Sequence, residues 1–367
     1  MSANPSPIDI ATCLAFATKR YPHHRFQPLD RQGACSYTFL AEPSTPTEDG
    51  EVMILQFRLP RHALPLALAH AAHRVYTPLA PCTTGLGWVG PLQGLAMERL
   101  PGDRWGDLQP RGRDLGVWDG TVMERFRRLM EGFAGVFERN WRATVTALRA
   151  EKDEEALSMG GKVGASILMR LARLGRELPS RALRVRAKEV EGAVGGAGLD
   201  GLPVVLTHGD LLPANILVNG RTWEVTGLVD WAEAEWLPFG IGLYGLEHLL
   251  GSLEGEGRRR RFVYYDRAEE LRGIFWERLV ALVGELNAEG MRKKVLLARD
   301  VGILLWRGFA WDDGAIDRVV NWEDDAEEIA YLEAFLGIEA SSRRHDSVMD
   351  LDFDTDEPTD VICAKMP

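Results

Sequence analysis

The sequence predicts an α+β protein in which a β-rich amino-terminal part precedes a larger, mainly helical part. Three observations predict it. Short strand-like runs bounded by turn formers occupy residues 31–42 and 52–58. From Thr121 onward, long stretches repeat apolar residues at three- and four-residue spacing. Between 204 and 231, two further short strand-like runs flank an Asn-Gly turn. With 367 residues and 46% hydrophobic content, the chain is long enough for two lobes that share a large core.

Taken in order, Ile8 to Lys19 reads as a short amphipathic helix and Tyr21-Pro-His-His as a loop. Arg31 to Glu42 reads as strand, turn and strand, with Gly33 in the turn, and Ser44 to Gly50 as an exposed turn. Val52 to Arg58 is an apolar strand stopped before Pro60. Gln56 and Arg58, two residues apart on it, share one face. Arg61 to Val75 reads as a helix, and no Asp or Glu occurs between Glu51 and Glu98. Leu95 to Gly102 is a strand that ends in Pro-Gly.

Thr121 to Ala150 is predicted as one long helix whose Phe126, Leu129, Phe133, Phe137 and Trp141 form a core stripe. Glycine pairs at 160–161 and 195–196 bracket a basic helical run beginning at Ile167, read as a solvated face. Phe262 to Val283 and Met291 to Phe309 are predicted as further helices, with Trp276 and Trp306 in the core. The folded body is expected to end near Gly337. Beyond it, eight acidic residues face three basic ones in a Ser/Asp/Thr-rich tail expected to be disordered.

The stretch from Val204 to Trp231 carries the chemistry. His208, Asp210 and Asn215 stand in the order H-x-D-x-x-x-x-N, with Asp230 beyond them. Phosphoryl transfer needs such a set: one Asp orients and deprotonates an acceptor hydroxyl, while an Asn and a second Asp hold the magnesium that bridges nucleotide phosphates. Ile216-Leu-Val and Trp223 to Val229 read as strands paired across Asn219-Gly220. That hairpin returns the chain past Asn215 and brings Asp230 level with the catalytic loop.

At these residues the chain resembles the aminoglycoside phosphotransferase and choline kinase-like family, small-molecule kinases of the protein-kinase-like fold. The matching residues are His208-Gly-Asp210, Asn215-Ile-Leu-Val and Gly227-Leu-Val-Asp230-Trp231. The resemblance implies an N-lobe over 1–97, a C-lobe over 98–337 and the acidic tail over 338–367. It implies ATP and Mg2+ as cofactors and a small-molecule hydroxyl as acceptor. Asp210 becomes the catalytic base, His208 the organiser of its loop, and Asn215 and Asp230 the metal ligands. Asp-Trp, in place of Asp-Phe-Gly, argues against a protein kinase.

The same resemblance assigns Ser36 to phosphate contact and Met97, Glu98 and Leu100 to the hinge that reads the adenine. It also exposes a departure. Where the family's phosphate-gripping Lys is expected, this chain has Gln56, with Arg58 two residues on, and the helix that should carry the partner Glu carries no acid. Arg58 is the expected substitute. A buried carboxylate without its cation would be costly, so the paired loss is self-consistent. It also motivates a second reading, a catalytically inactive pseudokinase acting as a nucleotide- or metabolite-binding regulator. Glu233, Asp312 and Asp313 are candidate substrate contacts.

The formal charge of -11 argues against a nucleic-acid-binding surface. No uninterrupted apolar run reaches membrane-spanning length, and the amino terminus lacks a basic segment leading into an apolar one, so neither membrane insertion nor a signal peptide is expected. Cys13, Cys35, Cys82 and Cys363 show no metal-ligand spacing, and reduced thiols in a cytoplasmic protein are the expectation.

Overall fold

Alternation of apolar and polar residues in the amino-terminal runs produces an antiparallel sheet. The computed structural model describes residues 7–33, 35–45, 51–112, 119–144, 163–312 and 315–338. Five strands, β1 (His24–Pro28), β2 (Ser36–Pro43), β3 (Met53–Arg58), β4 (Thr83–Val89) and β5 (Leu92–Glu98), lie in the order β1-β2-β3-β5-β4. Phe39, Leu55, Phe57 and Leu92 form its buried face. Helix α1 (Pro7–Arg20) covers that face through Cys13 and Ala17, with Phe16 edge-on to Phe57. The β2–β3 register sets Ser36 opposite Arg58 and Thr38 opposite Gln56. This arrangement places the three polar groups of the upper site at one end of β3.

Helix α2 (Leu66–Tyr76) follows β3 but packs downward. Its Ala71, Ala72, Val75 and Tyr76 join the large core of the helical part, and the Tyr76 hydroxyl donates to the carbonyl of Leu206 at 2.5 Å. The chain leaves the sheet at Glu98 and enters a second sheet of three strands, β6 (Asp103–Arg104), β8 (Ile216–Val218) and β9 (Val225–Leu228). Residues 99–102 therefore bridge the two sheets as a hinge would.

The second half is helical: α3 (Trp105–Leu108), α4 (Gly120–Arg142), α5 (Ile167–Glu177), α6 (Arg181–Gly195), α7 (Tyr244–Leu249), α8 (Ala268–Leu282), α9 (Met291–Arg307) and α10 (Ala326–Phe335). Asp119 caps α4 by accepting the Val122 N–H at 2.9 Å, and the expected stripe from Phe126 to Phe137 is buried. Among the described residues no helix is long and apolar enough to cross a membrane.

After Trp231, Glu235–Pro238 form β10, paired with β7 (Val204–Thr207), before α7 begins. Three local expectations are corrected. Phe262 lies on a strand, because Gly251–Glu254 (β11) and Arg261–Tyr264 (β12) make a hairpin, and only Ala268–Leu282 is helical. β9 starts at Val225 rather than Trp223. Asn219 Oδ1 accepts the N–H groups of Arg221 and Thr222, which widens the turn, and Trp223 takes a positive φ of 61° with its ring packed on Trp105 and Phe126. Met291–Arg307 is helical and hands over at Phe309 to the hairpin β13 (Phe309–Asp312) and β14 (Ala315–Val319). The end of the predicted helix beyond 144, Asp313, Cys363 and the acidic tail after 338 lie outside the described residues.

Candidate active site

Strand β7 delivers the chain to His208, and a tight turn at Gly209 presents Asp210. Gly209 adopts φ +79°, and a Cβ there would run into the carbonyl of Glu233, so only glycine fits. His208 is buried. Its Nε2 donates to the carbonyl of Val229 at 3.0 Å, and its Nδ1 accepts the N–H of Asp210 at 3.3 Å. These bonds require the neutral ring, and burial brings the pKa down to about 4, against an opposing pull from Asp230. The Trp231 ring lies 4.4 Å from the His208 ring and 4.7 Å from that of Tyr76, and its N–H donates to Leu228. The tryptophan after Asp230 thus wedges the catalytic loop against α2.

Asn215 ties the loop to itself. Its side-chain N–H2 donates to the carbonyl of Asp210 at 2.8 Å and to Asp210 Oδ2 at 2.8 Å. Its backbone carbonyl accepts the N–H of Val229 at 3.0 Å, which places Asp230 one residue beyond that bond. Asp210, Asn215 and Asp230 therefore converge as the hairpin argument requires. Asp230 sits at φ +64°, a left-handed position that turns its carboxylate out of strand direction.

The upper strand closes the site from the other side. Arg58, 3% exposed, donates through Nη1 to Asp230 Oδ1 at 3.1 Å and to Gln56 Oε1 at 2.9 Å, and through Nε to the carbonyl of His62 at 2.7 Å. Gln56 Nε2 donates in turn to Ser36 Oγ at 3.1 Å. Three of the residues expected at the phosphates form one chain that ends on Asp230. At the hinge, Met97 and Glu98 close β5, with Glu98 exposed, while Leu100 is buried against Gly227.

Burial first, and the Asp230 carboxylate second, push Asp210 up to about 6, with Glu233 adding to the rise. Arg307 and the Asn215 hydrogen bond act in the opposite sense. The Asp210 and Asp230 carboxylates lie close enough for their charges to interact, and Arg58 pairs with only one Asp230 oxygen. Magnesium takes one or two protein carboxylates and completes its shell with phosphate and water. Asp230 Oδ2, which takes no hydrogen bond among the described residues, and Asn215 Oδ1 fit that role. Among the described residues, no group of three or more His, Cys, Asp or Glu side chains forms a metal cage. The donor set fits a metal held jointly with a nucleotide, not a structural ion.

The remaining candidates separate. Glu233 lies in the turn after Asp230, near enough for its charge to act on Asp210. Asp312 instead pairs with Arg318, whose Nε and Nη2 donate to its two oxygens at 2.8 and 3.1 Å. Tyr244 and Arg307 were not legible as site residues in the sequence. The Tyr244 hydroxyl accepts the Leu211 N–H at 3.0 Å, and Arg307 acts on Asp210 through its charge. Both belong to helices that look like ordinary core elements, and no local pattern marks them.

A five-stranded antiparallel lobe hinged to a helical lobe, with a His-Asp-Asn loop and an Asp-Trp pair between them, defines a small-molecule kinase of the protein-kinase-like fold. The chain belongs to the phosphotransferase enzyme family, whose model matches residues 47–246 and so includes β3, the hinge and the whole catalytic segment. No curated protein matches this chain. Solved structures share the fold. An ethanolamine kinase from Plasmodium vivax is 11% identical, with a TM-score of 0.51, covering 85% of this chain and 81% of its own. A macrolide 2'-phosphotransferase type I is 16% identical, with a TM-score of 0.51, covering 91% and 97%. A choline kinase from Cryptosporidium parvum Iowa II is 11% identical, with a TM-score of 0.50, covering 90% and 97%.

Proposed function

We propose that this protein transfers the γ-phosphoryl group of ATP, with magnesium, to a hydroxyl of a small molecule. The observation that carries the reading is the convergence of Asp210, Asn215 and Asp230, held by the Asn215 bonds to Asp210 and by the Val229–Asn215 backbone bond. Asp210 accepts the acceptor's proton as the oxygen attacks. With its pKa near 6 it is ionised at neutral pH, yet basic enough to take a proton in the transition state. Asn215 fixes the rotamer of that carboxylate, and neutral His208 fixes the loop backbone from below.

Asp230 Oδ2 and Asn215 Oδ1 would hold magnesium, which would supply charge neutralisation at the phosphates. Arg58 sets the orientation of Asp230 from the upper lobe, and Ser36, Gln56 and Arg58 mark the phosphate end of the cleft. Met97, Glu98 and Leu100 are assigned to the adenine side. Glu233 is retained as a candidate acceptor contact. Asp312 is kept in the same role only if its Arg318 pair opens, and Asp313 is assigned with it from the sequence.

Asp210→Ala tests the reading. Purified protein is expected to transfer phosphate from ATP to an acceptor in a pool of metabolites, and the variant to lose that transfer while still binding nucleotide. Nucleotide binding without turnover in the wild type would favour the regulatory alternative. Unchanged turnover in the variant would remove Asp210 from the base role.

A further inference from the structure

A pocket of about 390 Å³ opens beside the catalytic loop, within the size range of small-molecule sites. Leu212, Pro213 and Ala214, three of the four residues between Asp210 and Asn215, form part of its wall. None of Ser36, Gln56, Arg58 or the hinge residues lines it, and neither does Asp210; the pocket adjoins the catalytic loop through Leu212–Ala214 and through Arg307, whose charge reaches Asp210.

Its charge is one-sided. The ionisable lining consists of Arg111, Arg260, Arg307 and Glu327, together with His248. Burial, with Arg307 adding to it, holds His248 neutral, its pKa driven well below the usual histidine range. Glu327 is already paired with Arg260 and accepts from the Tyr331 hydroxyl at 3.5 Å. Arg111 is exposed.

Arg307 is the unusual member. It is 8% exposed, its guanidinium lies 4.5 Å from the Tyr331 ring centroid, and its Nη2 donates to the neutral His248 Nε2 at 2.7 Å. Its Nε has no hydrogen-bond partner, and among the described residues no carboxylate lies within ion-pair distance of it. Asp210 and Glu328 feel its charge through space only. A mostly buried guanidinium that lines a pocket and makes no direct ion pair is costly unless a ligand in that pocket supplies the anion.

We propose that the acceptor is an anionic alcohol: a carboxylate or phosphate ester group pairs with Arg307, and its hydroxyl is presented to Asp210. The proposal rests on reading the chain as a phosphotransferase, and it names the substrate class of that site. A cationic amino alcohol would meet Arg111 and Arg307 with repulsion, Arg260 being paired with Glu327.

Calorimetric titration of the nucleotide-free protein with glycerate, glycerol 3-phosphate, glycerol and choline tests it. At least one anion is expected to saturate the protein, the carboxylate and phosphate arms showing which group is preferred. Arg307→Gln is expected to weaken that binding by about tenfold or more, and Arg307→Lys to restore part of it. Arg111→Gln, at an exposed position that does not endanger folding, is expected to weaken it several-fold. Arg176→Gln, at an exposed position on α5 outside the pocket lining, is expected to leave it unchanged. Failure of both anions to saturate, wild-type binding by both the Arg307→Gln and Arg111→Gln variants, or tighter binding of choline would overturn the assignment. That failure with intact phosphoryl transfer rejects the anionic acceptor alone. Anion binding with no transfer to any hydroxyl rejects the phosphotransferase reading on which the acceptor rests.

Discussion

Replacing Asp210 by Asn is expected to destroy activity and yet stabilise the fold. In the folded protein the Asp210 pKa is raised from 3.8 to about 6, chiefly by burial and by Asp230. A raised carboxylate pKa means that the ionised form is disfavoured by folding. The cost is absent below pH 4, grows between pH 4 and 6, and is constant above 6. Each unit is worth about 1.4 kcal/mol, so the ceiling on this cost is about 3 kcal/mol. Asn keeps the acceptor for the Asn215 N–H2 and turns a donor toward Asp230 where a like charge stood. A gain of roughly 1–3 kcal/mol is therefore expected at pH 8. Urea unfolding of both proteins, without nucleotide and with a chelator, at pH 8 and at pH 4 measures it. The gap should close at pH 4 and shrink at pH 8 when magnesium is added. A variant no more stable than wild type at pH 8, or a gap that ignores pH, would refute the electrostatic argument.

Two other substitutions probe the frame around that carboxylate. Arg58→Met keeps most of the side-chain volume but removes the bonds to Asp230, Gln56 and His62. Breaking a buried pair costs about 3–5 kcal/mol, but Asp230 is 45% exposed and water takes over part of the loss. About 1–3 kcal/mol of stability and a raised magnesium requirement are expected, and an unaltered ATP KM and kcat would exclude Arg58 from the site. Gly209→Ala combines a left-handed backbone with a collision at the Glu233 carbonyl. A loss of roughly 2–4 kcal/mol is expected from a thermal melt, and a melting temperature within a degree or two of wild type would show that the loop has another conformation.

The catalytic hairpin was legible because everything it needs is local. Asn219 forces the turn, apolar Ile216–Val218 and Val225–Leu228 pair, and Asp230 must then return beside Asn215. The shared face of Gln56 and Arg58 was legible for the same reason, and their 2.9 Å bond follows from it. What Arg58 meets was not. Its partner Asp230 comes from the other lobe, and long-range packing such as that of Tyr76 on α2 against Trp231 brings the two together.

The strand at Glu235–Pro238 was missed because four residues carry too little periodicity to separate strand from helix. It forms by pairing with β7, which has no other strand partner among the described residues. Asp312 reads in sequence as a free loop acid, but its hairpin also contains Arg318, which claims it. Arg307 sits in the last turn of a helix whose pattern speaks only of core, and its role emerges from what surrounds it in space.

Mass-spectrometric detection of a phosphorylated product tests most directly whether this protein is a phosphotransferase. Purified protein would be incubated with ATP, magnesium and a metabolite extract, with parallel reactions using Asp210→Ala and a chelator. A metabolite whose mass rises by one phosphoryl group only with the wild type and magnesium is the predicted result. A product formed equally by the Asp210→Ala protein, or no product while nucleotide binds normally, would contradict it.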